Sequence, residues 1–254
     1  MTAIDNILEE KQKEIFQLEN SDLLQKARTR RSYSFQNALS KNGISLIAEV
    51  KRSSPSAGDF DINPNALMKS YIDAGADALS ILSDKHFGMN VGEFEALASK
   101  SKLPVLRKDF ILSKKQVLES WILGADAVLL IASFLDSKKL DEFGAYAEEL
   151  GLDVLYEVHS AEELKSLPKR AKIIGINNRN LKDAHLSTDT GLCSELVSKL
   201  PKGSIKVAES GFERGKNVPK GFDAVLIGTG LIREFKLNNN LKATINKIKE
   251  KCLL

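Results

Sequence analysis

The feature that most limits what this chain can fold into is a repeat of pattern rather than of sequence. A short apolar run followed by an amphipathic stretch recurs eight times. The runs are SLIAEV from Ser45, ALSIL from Ala78, PVLRKDF from Pro104, AVLLIA from Ala127, DVLYEV from Asp153, IIGINN from Ile173, IKVAES from Ile205 and AVLIG from Ala224. Most are nearly continuous in apolar residues instead of alternating, as parallel strands covered on both faces must be. The stretches between them carry helix punctuation. In NPNALMKSYIDAG, Asn63 stands at an N-cap, Pro64 at the first helical position and Gly75 past the end. SKKQVLESWILG is bounded by Ser113 and Gly124, DSKKLDEFGAYAEELG by Asp136 and Gly151, and SAEELKSLP starts at Ser160. The seventh connection, FERGKNVPKG, has room for little more than one helical turn.

Eight alternating units of this kind imply an α/β fold, a closed (β/α)8 TIM barrel, in preference to an open doubly wound sheet. The 254 residues then form a single domain, of which 1–43 is an N-terminal helical extension. In that extension Ile4, Ile7, Leu8, Ile15 and Phe16 fall near helical spacing. It is expected to cover the C-terminal mouth of the barrel rather than plug the opposite end. A chain of this length with 43% hydrophobic residues can bury one large core. Its net charge of +3, from 37 basic and 34 acidic residues, is too balanced for a nucleic-acid partner but leaves room for a local anion site. No apolar run reaches the roughly 18 residues of a membrane span, so no membrane partner is expected. Two cysteines make no disulfide framework, and the charged N-terminus lacks a signal-peptide core, so a cytoplasmic location is expected.

In such barrels the working end is where the strands finish. Reading only those ends collects Glu49 and Lys51 from the first strand, Lys108 with Asp109 from the third, and Glu157 from the fifth. The sixth adds Asn177 and Arg179, and the seventh Glu209 and Ser210. Within ISLIAEVKRSSPSAG, Glu49 and Lys51 are two residues apart and so point the same way from an extended strand. Internal ion pairs at a barrel rim account for any one of these residues. Five charges gathered at one end are poorly explained that way, because burying charge is unfavourable even when it is paired. Together they supply proton donors, proton acceptors and an anion clamp. Glycines in ESG (Glu209–Gly211) and IGTG (Ile227–Gly230) follow the seventh and eighth strands, where barrels recurrently bind phosphate. Gly211, Gly228 and Thr229 are the candidates there, and the hydroxyl of Ser54 is a further one from the first loop. His86, His159 and His185 have no ligand spacing, so no metal is expected. Cys193 and Cys252 read as packing or surface residues, and Trp121 as helix packing. Phe87 and Phe110 each follow a strand end, where an aromatic can line a pocket.

The segments IAEVKRSSPSAG, LRKDFI, LYEVH, GINNRNL, VAESGF and LIGTGLIR occur in that order. Together they resemble the signature segments of the indole-3-glycerol-phosphate synthase family, over nearly the whole chain. The resemblance implies a carboxy-lyase of tryptophan biosynthesis that uses no cofactor and no metal. Its phosphorylated small-molecule substrate is 1-(o-carboxyphenylamino)-1-deoxyribulose 5-phosphate, and its products are indole-3-glycerol phosphate, carbon dioxide and water. By match to those motifs, Lys108 is the acid for ring closure and Lys51 faces the substrate carboxylate. Glu49 and Glu157 are the acid–base carboxylates, and Asn177 bonds near the reacting hydroxyl. Arg179 and Glu209 orient their neighbours. Ser54, Ser210, Gly211, Gly228 and Thr229 match substrate- and phosphate-site positions. Phe87, Phe110, Leu129 and Ile131 match apolar positions around the aromatic ring. The sequence departs from the family pattern at 182–190, in the short seventh helix and at Thr229. A Schiff-base aldolase using Lys108 and a non-catalytic sugar-phosphate-binding barrel are the alternatives. A monomer is expected, with a weak homo-oligomer as the other outcome.

Overall fold

Residues 3–54, 57–179, 187–189, 191–212, 218–238 and 240–251 are described by a computed structural model of the chain. His185, Cys252, the side chain of Ile4, most of the 182–190 stretch and residues 213–217 lie outside the described residues. The eight barrel strands are β1 (Ser45–Val50), β2 (Ala78–Leu82), β3 (Val105–Lys108), β4 (Ala127–Ile131), β5 (Asp153–Val158), β6 (Ile173–Asn177), β7 (Ile205–Glu209) and β8 (Ala224–Ile227). All pair in parallel with their sequence neighbours, and β1 closes the barrel by pairing with both β2 and β8. Each lies within its apolar run, trimmed by a residue or two where the run continues into the loop.

The helices are α1 (Ala3–Glu19), α2 (Phe35–Leu39), α3 (Pro64–Asp73), α4 (Val91–Ala98), α5 (Lys114–Ile122), α6 (Ser137–Glu149), α7 (Ala161–Ser166), α8 (Gly191–Leu196), α9 (Thr229–Asn238) and α10 (Lys242–Lys251). The expected caps form. Asn63 accepts from the Asn65 and Ala66 amides, Asp136 from that of Lys139 and Ser160 from that of Glu163. Ser113 completes a capping box with Gln116. Each satisfies amides that the first helical turn leaves without an intrahelical partner.

Strand side chains alternate between two cores, as a two-residue period requires. Leu46, Ala48, Val50, Val128, Leu130, Val154 and Tyr156 face outward into the layer between barrel and helices, where Trp121 also packs. Ile47, Ala78, Leu106, Ala127, Leu129, Leu155, Ile173, Val207 and Ala224 face inward. The inward set is apolar along most of the barrel and turns polar only in its last layer, at the C-terminal ends.

The extension divides its work between both ends, which corrects the expectation that it only covers the mouth. Phe35 and Leu39 of α2 are fully buried in the inner core and plug the N-terminal end. Around them Arg28 and Arg30 pair with Asp126, just before β4, and the Gln36 amide bonds Asp153 at the start of β5. α1 lies at the other end. Its Ile7 joins the inner core beside Phe110 and Ile131, and its Lys11 reaches Asp84 and Asp109, beyond β2 and β3. The apolar stripe is also corrected. Phe16 is 69% exposed, and the face that packs inward is Ile7, Lys11, Ile15 and Leu18. A lysine occupies the middle of that face because two buried aspartates meet it there.

Candidate active site

The polar last layer converges on a cavity of about 260 Å3 at the C-terminal end of the barrel. Glu49, Lys51, Lys108, Arg179 and Glu209 line one side. Ser210, Gly211, Gly228, Thr229 and Gly230 line the other. Strand geometry explains the grouping: each side chain occupies the inward position nearest its strand's C-terminal end. Lys51 Nζ stands 2.6 Å from Glu49 Oε1, and Lys108 Nζ donates to Glu157 Oε2 at 3.2 Å. Asn177 is buried beside them, and its Oδ1 accepts from the Arg179 amide at 3.0 Å.

These charges set one another's protonation. Burial works against the Lys108 ammonium, but the carboxylates of Glu157, Glu209 and Glu49 outweigh it and hold its pKa well above the ordinary lysine value. Burial likewise opposes ionisation of Glu49, and Lys51, Lys108 and Arg179 reverse that, leaving its pKa lowered. Glu157 and Glu209 are pushed apart. Both are buried, yet Glu157 has Lys108 and His159 against it and is held far below the usual carboxylate range. Glu209 is driven well above that range by burial and by the neighbouring Glu157 charge. The pair is thus driven in opposite directions: ionisation is favoured on Glu157 and the proton on Glu209.

Sheet register makes the pair possible. Glu157 lies opposite Gly175 on β6, and Asn177, two residues on, lies opposite Glu209 on β7. A Cβ on Gly175 would overlap the Glu209 carboxyl and crowd Leu155. The glycine in IIGINN, unremarked in the sequence, is the space into which Glu209 folds toward Glu157. Gly228 has a second reason to be glycine besides its place in a phosphate loop. A Cβ there would overlap the Glu49 carboxylate and come within 3.2 Å of Lys51 Nζ.

The opposite wall is backbone. α9 begins at Thr229, so the amides of Thr229, Gly230 and Leu231 have no intrahelical acceptor and face the cavity side with the positive end of the helix. Ser210 and Gly211 follow β7 in successive left-handed conformations, φ 63° and 82°. Such a pair turns consecutive amides toward one concave face, a geometry suited to an anion. Asn178 holds it in place: its side chain donates to the Ser210 carbonyl and accepts from the Cys193 amide. Arg233, one turn into α9, also lines the cavity.

One expected position sits differently. Ser54 is buried in the two-residue ribbon Ser53–Ser54 that pairs with Gly58–Asp59, and Ala57, not Ser54, lines the cavity from this loop. Leu129 and Ile131 belong to the inner apolar core, with Phe110 at its upper edge and Phe87 packed against it. These four residues form the apolar floor beside the charged cavity rather than its wall. Phe134, unremarked in the sequence, joins them by stacking edge-on against Phe110, with ring centroids 5.8 Å apart. His159, which sequence reasoning left out of the site, joins it: its Nε2 lies 3.2 Å from Glu157 Oε1. Its position two residues beyond Glu157 is the signal that was present in the sequence. Among the described residues no cluster of His, Cys, Asp and Glu is arranged to hold a metal ion. No helix among them is long and apolar enough to cross a membrane.

Behind β3 lies a further buried network. Asp109, next to Lys108, pairs with Arg107 at 2.8 Å and with Lys11 of α1 at 2.9 Å, and its Oδ1 accepts from the Phe110 amide. Arg107 passes through the outer layer to Glu119 on α5. The turn that presents Lys108 and Phe110 is thus fixed from the helix layer and from the extension together.

Residues 4–244 match the family model described as indole-3-glycerol phosphate synthase. The chain is similar to proteins of that name from several bacteria. It is 42% identical over 246 residues to the one from Chlorobium phaeovibrioides, covering 91% of this chain and 95% of the relative. It is 42% identical over 218 residues to that of Campylobacter curvus, with 83% and 81% covered. With that of Nautilia profundicola it shares 38% identity over 261 aligned positions, 98% of each chain.

Proposed function

This chain belongs to the indole-3-glycerol phosphate synthase family, and from that premise we propose how its residues divide the chemistry. The enzyme is a carboxy-lyase of tryptophan biosynthesis acting on a phosphorylated small molecule. It closes the indole ring of 1-(o-carboxyphenylamino)-1-deoxyribulose 5-phosphate. The observation that carries the assignment is the position of Lys108. Its ammonium, surrounded by carboxylates, sits between an apolar aromatic floor and a wall of free amides.

The phosphate binds at Ser210–Gly211 and at the start of α9, where amides and the helix dipole meet a dianion without needing a cationic pocket. The anthranilate ring lies on the Phe87, Phe110, Leu129 and Ile131 side. This places the ketose carbonyl between the two, beside Lys108. The ring carbon bearing the carboxylate attacks that carbonyl, and Lys108 protonates the oxygen as negative charge develops. The C–CO2 bond then breaks, its electron pair restores the benzene ring, and carbon dioxide leaves. In the last step a proton is removed from carbon while the hydroxyl departs as water. Glu157, ionised, is the base for that proton. Lys51, paired with Glu49, faces the substrate carboxylate first and the leaving hydroxyl later. Asn177 orients that hydroxyl, and Arg179 and Glu209 hold the carboxylates in place.

The Schiff-base alternative requires a neutral Lys108 amine, and three carboxylates around it favour the ammonium instead. The test is direct. Purified protein with the synthetic substrate, without added metal or cofactor, yields indole-3-glycerol phosphate, followed by its indole fluorescence. Absence of turnover by a folded protein, or trapping of Lys108 by borohydride with the ketose phosphate, overturns the reading.

A further inference from the structure

We propose that His159 is a positioning residue that acts with Lys108 to keep the charge on Glu157 and the proton on the adjacent carboxyl, Glu209, at the reaction site. The inference rests on the assignment of Glu157 as an ionised base.

The geometry is a relay of contacts running outward from the mouth. Glu157 is gripped at both oxygens: Oε2 accepts from Lys108 Nζ at 3.2 Å, and Oε1 lies 3.2 Å from His159 Nε2. The far side of the imidazole is equally engaged. Nδ1 is 3.2 Å from Ser133 Oγ and 3.4 Å from Glu163 Oε2. Ser133 in turn donates to Glu163 Oε1 at 2.6 Å, and the His159 amide donates to Glu163 Oε2 at 2.7 Å. These contacts suit a ring protonated at both nitrogens. Ser133 Oγ spends its single proton on Glu163, so it accepts from Nδ1–H, while Nε2 meets the Glu157 carboxylate as a charge contact rather than a well-formed hydrogen bond. Burial alone would favour the neutral ring, but Glu157 and Glu163 on either side push its pKa up to about 9. His159 is therefore an imidazolium wedged between two carboxylates.

Glu209 has no such support. Both its oxygens are buried without a well-formed hydrogen bond among the described residues, and it faces Glu157 across the gap left by Gly175. Both carboxyls are buried and both face Lys108, but Lys108 bonds only Glu157. His159 adds a second cationic contact on the same side. It favours the charge on Glu157 and so leaves the proton to Glu209. The charged groups facing this assembly are Lys108 on β3, Glu49 on β1, Arg179 after β6 and Glu163 on α7. Of these, only Glu163 touches the imidazole. Removing the imidazolium leaves Lys108 alone to hold that preference and weakens it. A fraction of the protein then carries it on Glu157, where the base is needed.

The test uses His159→Asn, His159→Gln and Glu163→Gln, with Glu157→Gln as reference, in the full chain. The readouts are kcat and KM across pH 5–9 and the side-chain carboxyl resonances of 13C-labelled glutamate. In wild type one carboxyl of the pair is ionised and the other protonated at neutral pH. In His159→Asn the two titrations draw together. The acid limb of kcat then moves up by at least one pH unit, kcat at neutral pH falls by roughly 10-fold or more, and KM changes by less than 3-fold. His159→Gln keeps a donor but no charge and shows the same shift. Glu163→Gln shifts in the same direction by less. A pH profile and carboxyl titrations in either histidine variant that superimpose on wild type overturn the proposal. If instead Glu157→Gln is folded and active, the acid–base reading beneath it fails, and the two failures are distinct. Should His159→Asn not fold, His159→Gln and Glu163→Gln carry the same readouts.

Discussion

Replacing Lys108 by Met keeps the aliphatic stem and removes only the ammonium. The magnitude follows from the surroundings. At 3.2 Å from Glu157, a unit charge in an effective dielectric of about 20 contributes on the order of 5 kcal/mol of attraction. The same charge, in the transition state, meets the developing oxyanion on the ketose carbon. Losing a donor of that kind lowers rates by about 10²–10⁴-fold. We expect kcat to fall at least ~100-fold, with substrate affinity altered far less, since the amide wall and the apolar floor are untouched. Stability should fall too, by about 3 kcal/mol at neutral pH, because a buried carboxylate loses its partner. The sign with pH is defined. Glu157 has a depressed folded pKa, so its pairing stabilises the fold above the unfolded glutamate value of about 4.3 and is lost as pH falls through the lower, folded value. The deficit of the variant is therefore full from neutral pH down to about 4.3 and narrows only below that. The assays are steady-state kinetics beside Lys51→Met, whose KM should rise as well, and urea titration at neutral pH and at about pH 3. A folded Lys108→Met enzyme with kcat within about 3-fold of wild type would remove this lysine from the reaction.

Gly228→Ala places a methyl on the Glu49 carboxylate and on the first turn of α9, so it should raise KM more than 10-fold and weaken inhibition by inorganic phosphate; unchanged phosphate inhibition would put the anion elsewhere. Deleting residues 1–21 removes the Lys11 contacts at the mouth but leaves the α2 plug, so it should impair substrate binding while the barrel still unfolds cooperatively. Deleting 1–43 should leave the protein unable to fold stably, because the inner core loses Phe35 and Leu39; urea curves on both truncations separate the two roles. Treatment with EDTA should leave turnover intact, and loss of activity restored by one specific metal would overturn a mechanism built on lysine and glutamate.

The barrel was legible in the chain because its determinants are local and periodic. Continuous apolar runs fix parallel strands buried on both faces, and caps such as Asn63, Ser113, Asp136 and Ser160 fix where helices begin. The end at which strands finish also identified Glu49, Lys51, Lys108, Glu157, Asn177, Arg179 and Glu209 as one group, because strand direction alone sends them to the same mouth. What the tertiary structure decided is who faces whom across the closed sheet. Gly175 was one glycine among many until register set it beside Glu209. His159 had no ligand spacing to mark it; its place two residues past Glu157 was visible, but only the fold sets Ser133 against its other nitrogen. Nothing in the sequence marked Lys11 before α1 laid it between Asp84 and Asp109. Phe16, apolar and in near-helical spacing, remains in solvent because the inward face of α1 is the one that carries Lys11 to those aspartates together with Ile7, Ile15 and Leu18. Each of these depends on contacts between residues far apart in sequence, whose strength is governed by burial and by charge over a few ångströms. Neither quantity exists until the barrel has closed.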